Sequence, residues 1–214
     1  GQMPCGEQQD IKDSLDLVKH LGIDYTIANI ENKYHSFLYS GKINNLSSAY
    51  DELTHTDNPS IYSSEESNIK LALGNTQARI RMTFLYAISQ MIGGRVSNNC
   101  NKSETFIGYS TRWGDDTGDF APLRDLVKSE VVALAHELGL PAHLADKTPI
   151  DGLHNNVQED GSYGTDEDAM GFSYVDLEAY ILNGTTGVTS VDEKIAWKHK
   201  MSEFKRNPIA QFNK

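Results

Sequence analysis

The side chains best suited to chemistry are concentrated between residues 98 and 120. This segment reads Asn98-Asn99-Cys100-Asn101-Lys102-Ser103-Glu104 and then, three residues on, Gly108-Tyr109-Ser110-Thr111-Arg112-Trp113-Gly114-Asp115-Asp116-Thr117-Gly118-Asp119-Phe120. A glutamate, three aspartates, two cations and three glycines are interleaved with aromatic rings, and almost no aliphatic run is present. Burial of apolar surface cannot be the purpose of such a stretch. Carboxylate oxygens can hold a hard cation, and glycines let the backbone approach a ligand closely. A solvated acidic loop is the plainer alternative, but the interleaved rings and glycines favour a binding or catalytic site.

Two further positions bear on the same question. Lys128 falls in the first turn of a helix expected over 126–138, where the macrodipole is already positive. A cation there is unfavourable by ~0.3–1 kcal/mol unless an anion shares the site. A phosphate would reverse the sign, since free backbone N–H groups and the ammonium would both face it; a chance surface lysine is the other reading. Arg79 shares a helical face with Asn75, Met82 and Tyr86. An arginine fork binds a carboxylate bidentately and a nearby ring supports a flat heterocycle. The alternative, a commoner arrangement, is an amphipathic helix with Arg79 at the rim of its buried stripe.

The elements that must position these residues alternate along the chain. A helix is expected over 10–21, capped by Asp10, with Ile11, Leu15, Val18 and Leu21 on one face and Gly22 as the stop. A strand follows over 23–30. From 31 to 67 the pattern weakens into polar, tyrosine- and serine-rich sequence, read as a helix plus a loop. A second helix spans 75–92 and stops at Gly93-Gly94, and a short strand at 95–97 opens into the polar segment. The third helix is capped by Asp125 and closed by Gly139 with Pro141 beyond. Residues 154–168 read as a loop. A further helix starts at Ser173 with Asp176 as its acidic partner and ends at Gly184. With no internal repeat, this alternation predicts an α/β fold: an open, mostly parallel sheet flanked by helices, in a single domain over 1–214.

Composition narrows the partners. At 214 residues and 38% hydrophobic content, one sizeable core is feasible. No run approaches the ~20 apolar residues of a membrane span, and the N-terminus lacks a secretory signal layout. The two cysteines, Cys5 and Cys100, suggest no disulfide framework, which fits a reducing, cytoplasmic setting. A net charge of −11 argues against nonspecific nucleic-acid binding, though not against a small phosphorylated ligand.

Three blocks in order carry a family resemblance: Met3-Pro4-Cys5-Gly6-Glu7-Gln8-Gln9-Asp10, Gly74-Asn75-Thr76-Gln77-Ala78-Arg79-Ile80-Arg81-Met82, and Asn101-Lys102-Ser103-Glu104 through Phe120. The chain resembles NAD synthetases, ammonia-dependent members of the N-type ATP pyrophosphatases, whose fold is Rossmann-like. Lys147 to Leu153, Asp166-Glu167-Asp168 and Gly171-Phe172-Ser173-Tyr174 are similar to the family's lid region, and Phe204-Lys205-Arg206 to its C-terminal basic segment. The resemblance implies adenylation of the nicotinate carboxylate of deamido-NAD by Mg-ATP, then attack by ammonia to give NAD and AMP.

It also implies roles. Glu104 would ligate Mg2+. Lys128 would meet the phosphates of ATP, with Asn99, where the family commonly has threonine, and Gln8 also at ATP. Arg79, Tyr86, Arg112, Asp119 and Lys205 would hold deamido-NAD. Asp115 and Lys128 would be catalytic, Asp115 placing the reacting amide or ammonia. A homodimer is expected, with no nucleic-acid or membrane partner.

Some features depart from the family pattern. The Ser-Gly-Gly-x-Asp-Ser phosphate loop is absent from this sequence, which by this pattern is expected to start at the second strand of the sheet, and no glutamine-hydrolysing domain is visible in it. Ile150 stands where some relatives have threonine, and Phe204 replaces a histidine often found beside the lysine. These departures keep two rivals open: a noncatalytic nucleotide-binding or assembly protein of the same fold, and a different N-type pyrophosphatase such as a GMP-synthetase-like enzyme. The Arg79 helix and the 108–115 loop count against the latter.

Overall fold

A computed structural model describes residues 10–40, 65–150, 164–209 and 211. In chain order the helices among them are α1 (Asp10–Leu21), α2 (Glu31–Ser40), α3 (Glu65–Ile92), α4 (Lys102–Ile107), α5 (Lys128–Glu137), α6 (Ala142–Ala145), α7 (Asp166–Met170), α8 (Tyr174–Asn183), α9 (Thr189–Met201) and α10 (Glu203–Arg206).

Local chemistry explains most of the boundaries. Ser173 caps α8 by accepting from the Asp176 backbone N–H while Asp176 reaches back, and Gly184 closes the helix at φ 79°. The helix expected over 75–92 begins ten residues earlier, at Glu65, so Gly74 lies within it. The polar run 65–70 carries no apolar stripe to announce it. The helix expected from Leu126 starts at Lys128, and Asp125 does not cap it. Instead the Glu130 carboxylate accepts from the Val127 N–H at 2.8 Å, and Glu178 of α8 accepts from both Ser129 N and Oγ. Part of the expected 154–168 loop is helical: Thr165 and Asp168 form a capping box that starts α7. Residues 151–163 lie outside the described residues, as do 41–64.

Two apolar clusters organise the chain. Ile30 and Tyr34 meet Leu73, Ile80, Phe84 and Ile88, seating α2 on α3. Ile107, Met170, Phe172, Tyr174, Leu177 and Ile195 join α4, α7, α8 and α9. The C-terminal end of α4 is fastened by the chain's own C-terminal segment. His199 stacks on Phe106 at 4.0 Å between ring centroids, and the Arg206 Nη1 donates to Phe106 O. Cations at a helix C-terminus satisfy its orphan carbonyls and oppose its dipole. Of the expected strands, the described residues retain one parallel bridge, Ser97 to Phe120, flanked by Asn98 N to Phe120 O and Asp119 N to Val96 O. That bridge brings the two ends of the chemistry-bearing segment together. Segment 23–30 forms no named strand, although a bridge position falls at Ile27.

Candidate active site

The site has two adjoining halves. In the first, α4 opens on Asn101, whose side chain accepts from Glu104 N at 2.9 Å. Glu104 answers with both carboxylate oxygens, Oε2 accepting from Asn101 N and Oε1 from Asn101 Nδ2. The spacing of Asn101 and Glu104 is thus that of a capping box, and it fixes the orientation of the carboxylate expected to bind metal. Burial pushes the Glu104 carboxyl above the usual range, with Asp166 and Asp115 adding to the effect; the Asn101 N–H and Lys128 pull it back.

Lys128 is the first residue of α5, and its N–H donates to the buried Ser103 Oγ. Its ammonium lies 5.4 Å from the centre of the Tyr174 ring, within cation–π range. Tyr174 Oη donates to Asp166 Oδ2 at 3.0 Å, and Tyr109 Oη to Oδ1 at 3.3 Å. Asp166 is only 7% exposed. Burial raises its carboxyl, while the two phenols and Lys128 favour its charged form. The Tyr174 phenol is itself pushed far up by burial and by Asp166, so it stays protonated and donating. Lys128 and Tyr174 also line a cavity of about 570 Å³ floored by Val131, Ala135 and Leu140. Among the described residues expected to bind ATP, deamido-NAD or metal, Lys128 alone lines that cavity.

The second half is the loop 108–119, held from three sides. Thr111 Oγ1 donates to Asn75 Oδ1 at 2.6 Å, and Arg79 Nε donates to Arg112 O at 3.2 Å, tying the loop to α3. Lys205 Nζ donates to Gly108 O at 2.7 Å and also to Ser110 O, tying it to α10. Inside the loop, Asp115 Oδ1 accepts from Thr111 N at 2.8 Å. Burial lowers the Lys205 ammonium, which Asp115 and Asp116 counter and Arg79 reinforces. Asp115 therefore lies in the field of both halves, acting on Glu104 and on Lys205.

The other expected residues take distinct places. Arg79 is exposed at the rim of α3, next to the buried Ala78. The rim reading of the stripe thus fits its packing, while the same face receives the loop. Asp119 anchors the loop's exit by accepting from Val96 N at 2.8 Å, and it also helps raise the Tyr86 phenol, chiefly shifted by burial. Gly118 allows this exit: a Cβ there would stand 2.4 Å from Asn98 N. Asn99 is exposed and accepts from Ser97 Oγ. Gln8 lies outside the described residues.

The sequence placed Asp166 and Tyr174 in segments similar to the family's lid region and Tyr109 in the chemistry-bearing block, but assigned none of the three an individual role. The Thr165–Asp168 capping spacing is the local signal that marks α7 as ordered rather than looped. Asp116 was likewise unassigned; burial raises its carboxyl, opposed by a hydrogen bond from Asn98 and by Arg124.

Chemically, the arrangement alternates sign over a short span. The cations Arg79, Arg112, Lys128 and Lys205 can neutralise phosphates. The partly desolvated carboxylates Glu104 and Asp166, with the exposed Asp115 beside them, favour a divalent cation. Among the described residues no three acidic, histidine or cysteine side chains form a protein-only metal cage. A hydrated ion shared between one carboxylate and bound phosphates needs none.

Comparison with known proteins agrees with this architecture. The family model of NAD synthase matches residues 2–213. The NH3-dependent NAD+ synthetase of Carboxydothermus hydrogenoformans is 32% identical over 207 residues, 96% of this chain and 74% of that protein. Among solved structures, an NMN synthetase from Francisella tularensis superposes with a TM-score of 0.79 at 30% identity, covering 99% of this chain and 76% of that one. The NH3-dependent NAD synthetase of Campylobacter jejuni gives 0.67 at 25% identity, covering 99% and 76%. These likenesses bear out the α/β, Rossmann-like fold expected from the sequence, and by them the chain belongs to the NAD synthase family.

Proposed function

We propose that this chain is an ATP-dependent ligase that amidates the pyridine carboxylate of deamido-NAD with ammonia, giving NAD, AMP and pyrophosphate. The observation that carries the reading is the position of Asp115, which acts on Glu104 on one side and on Lys205 on the other. A nucleotide-activating half and an acceptor-binding half thereby share one acidic group.

A carboxylate resists amines because its oxygen is a poor leaving group. In the first step its oxygen attacks the α-phosphorus of ATP and the bond to pyrophosphate breaks. In the second, ammonia adds to the acyl carbon, the bond to AMP breaks, and a proton leaves nitrogen. On this reading Lys128 meets the phosphates, its place at the first turn of α5 supporting the role, and Asn99 and Gln8 complete the ATP side. Arg79, Arg112, Lys205, Tyr86 and Asp119 form the deamido-NAD side. Asp115 holds the attacking nitrogen and takes its proton, which asks of a carboxylate only hydrogen-bond reach and a favourable field. Glu104 is the residue that would hold Mg2+, and its burial among other carboxylates fits a cation. Bound there, the ion would neutralise the charge developing on pyrophosphate.

The test is equimolar NAD and AMP from deamido-NAD, Mg-ATP and ammonium chloride. Nucleotide binding without turnover would favour a noncatalytic reading instead. A second acceptor is supported by one observation, the TM-score of 0.79 to a protein described as an NMN synthetase. On that reading the amidated acid is the mononucleotide, and the two acids assayed side by side decide. We also expect a homodimer in a reducing, cytoplasmic compartment, in keeping with the free, buried Cys100. A monomer mass by light scattering would overturn the first expectation.

A further inference from the structure

Two residues one turn apart on α8 converge on the start of α5. Tyr174 and Glu178 stand at i and i+4, which puts their side chains on one face of the helix. The Lys128 ammonium lies 5.4 Å from the centre of the Tyr174 ring. Glu178 takes the next residue along: Oε1 accepts from Ser129 N at 2.8 Å and Oε2 from Ser129 Oγ at 2.6 Å. One face of α8 thus holds α5 by its backbone and Lys128 by its side chain.

Tyr174 is itself fixed at both ends. It is buried, its Oη donates to Asp166 Oδ2 at 3.0 Å, and its N–H donates to Glu167 Oε1 at 2.8 Å. The ring cannot follow a lysine that moves, so the lysine must come to the ring. The backbone at the start of α5 is equally committed. The N–H groups of Val127, Lys128 and Ser129 go to the side chains of Glu130, Ser103 and Glu178 in turn. What this helix end keeps for an incoming phosphate is its positive dipole and the Lys128 ammonium. That ammonium lies in the field of Glu104 and Asp166, yet it forms no ion pair among the described residues. A flexible four-carbon stem could otherwise deliver it to a carboxylate; a ring holds a cation without neutralising it.

Resting on the reading above that Lys128 meets the phosphates of ATP, we propose that Tyr174 and Glu178 form a seat that aims the Lys128 ammonium at them. Both are positioning residues, since neither need touch a substrate. Glu178 fixes where the lysine leaves the backbone, and the Tyr174 ring fixes where its charge ends. Such a seat sets affinity for the polyphosphate and leaves the acceptor side alone, because Arg79 and Lys205 hold the loop 108–119 independently of it.

Calorimetric titrations of the full chain with Mg-ATP and, separately, with deamido-NAD test the seat. Tyr174→Leu should weaken Mg-ATP binding about three- to thirtyfold, the range a partly desolvated cation–ring contact carries, and deamido-NAD binding by less than about twofold. Tyr174→Phe gives up the bond to Asp166 but keeps the ring, and should bind both ligands within about threefold of wild type. Glu178 is half-buried and outside the apolar cluster, so Glu178→Ala keeps the test open if Tyr174→Leu folds poorly. It should show the same selective loss of Mg-ATP binding. In a Lys128→Met background, neither substitution should weaken Mg-ATP binding further by more than about twofold, since the group they aim is gone. Equal weakening of both ligands, no weakening by Glu178→Ala, a Tyr174→Phe as weak as Tyr174→Leu, or losses that persist without Lys128 would refute the seat. Wild type that fails to bind Mg-ATP, or Lys128→Met that binds it as well as wild type, would remove the phosphate role of Lys128 and the seat with it. The selective losses together with no NAD formed would uphold the seat and overturn the amidation reading.

Discussion

Glu104 does two jobs that a single substitution can separate. Its oxygens close the capping box of α4, and its charge sits in a partly desolvated acidic field. Glu104→Gln keeps an oxygen able to accept from Asn101 N but removes the charge. Melting should therefore shift little, while magnesium-dependent AMP formation falls about a hundredfold or more, the scale of losing one electrostatic stabiliser of the reaction. Unchanged activity would remove the metal assignment. Asp166 makes a pH argument of the opposite kind from an ordinary surface ion pair. Burial raises its folded-state pKa above the unfolded value of about 3.9, so the folded protein holds more protons between the two. Its contribution to stability is greatest at low pH and is lost as pH rises through the folded pKa. Asp166→Asn, which does not titrate, should gain on wild type between pH 4 and pH 7. Urea midpoints at both pH values check the sign, and a variant that loses ground to wild type as pH rises would refute it.

At the scale of elements, what the sequence revealed depended on whether the signal was local. The start of α8 at Ser173 and its end at Gly184 were legible because capping residues lie within a turn of what they cap. The start of α5 was misread because Asp125 looked like a cap, whereas Glu178, 49 residues away, holds Ser129. The same limit hid the contacts that assemble the site: Lys205 reaches Gly108 and Ser110, and Tyr109 reaches Asp166, pairings that no local spacing encodes. Glu104 to Asp119 could be recognised as a site because its composition is incompatible with a core. Asp166 could not, since its meaning comes from two phenols brought by other segments. Gly108 is where these elements meet. It ends α4 at φ 65°, and a Cβ there would lie 2.2 Å from Ser202 Cβ. Gly108→Ala combines left-handed strain, ~1–2 kcal/mol, with overpacking of ~1–3 kcal/mol. It should lower stability and also loosen the carbonyls that Lys205 binds. Loss of stability with an unaltered KM for the pyridine nucleotide would mean that the C-terminal segment does not position the loop.

The whole molecule places its site between two cores rather than inside either. One is α2 on α3, centred on Ile30; the other is α4, α7, α8 and α9, centred on Leu177 and Ile195, all three residues fully buried. The loop 108–119 bridges them, bonded to Asn75 and Arg79 on the first side and to Lys205 on the second. Polar bridges of this kind transmit position but carry little burial, so the cores can differ in stability. Leu177→Ala removes a fully buried side chain and should cost ~2–5 kcal/mol, as should Ile30→Ala in the other core. Hydrogen exchange then tells whether the molecule opens as one unit. If the cores are coupled through the loop, each substitution speeds exchange in both. If not, Ile30→Ala leaves α8 and α9 protected while α2, α3 and the loop open. The second outcome is the one the packing favours, because the described contacts between the halves are hydrogen bonds through the loop rather than a shared apolar cluster. Bound nucleotide should slow loop exchange in either case, since the cations that would grip it project from both sides.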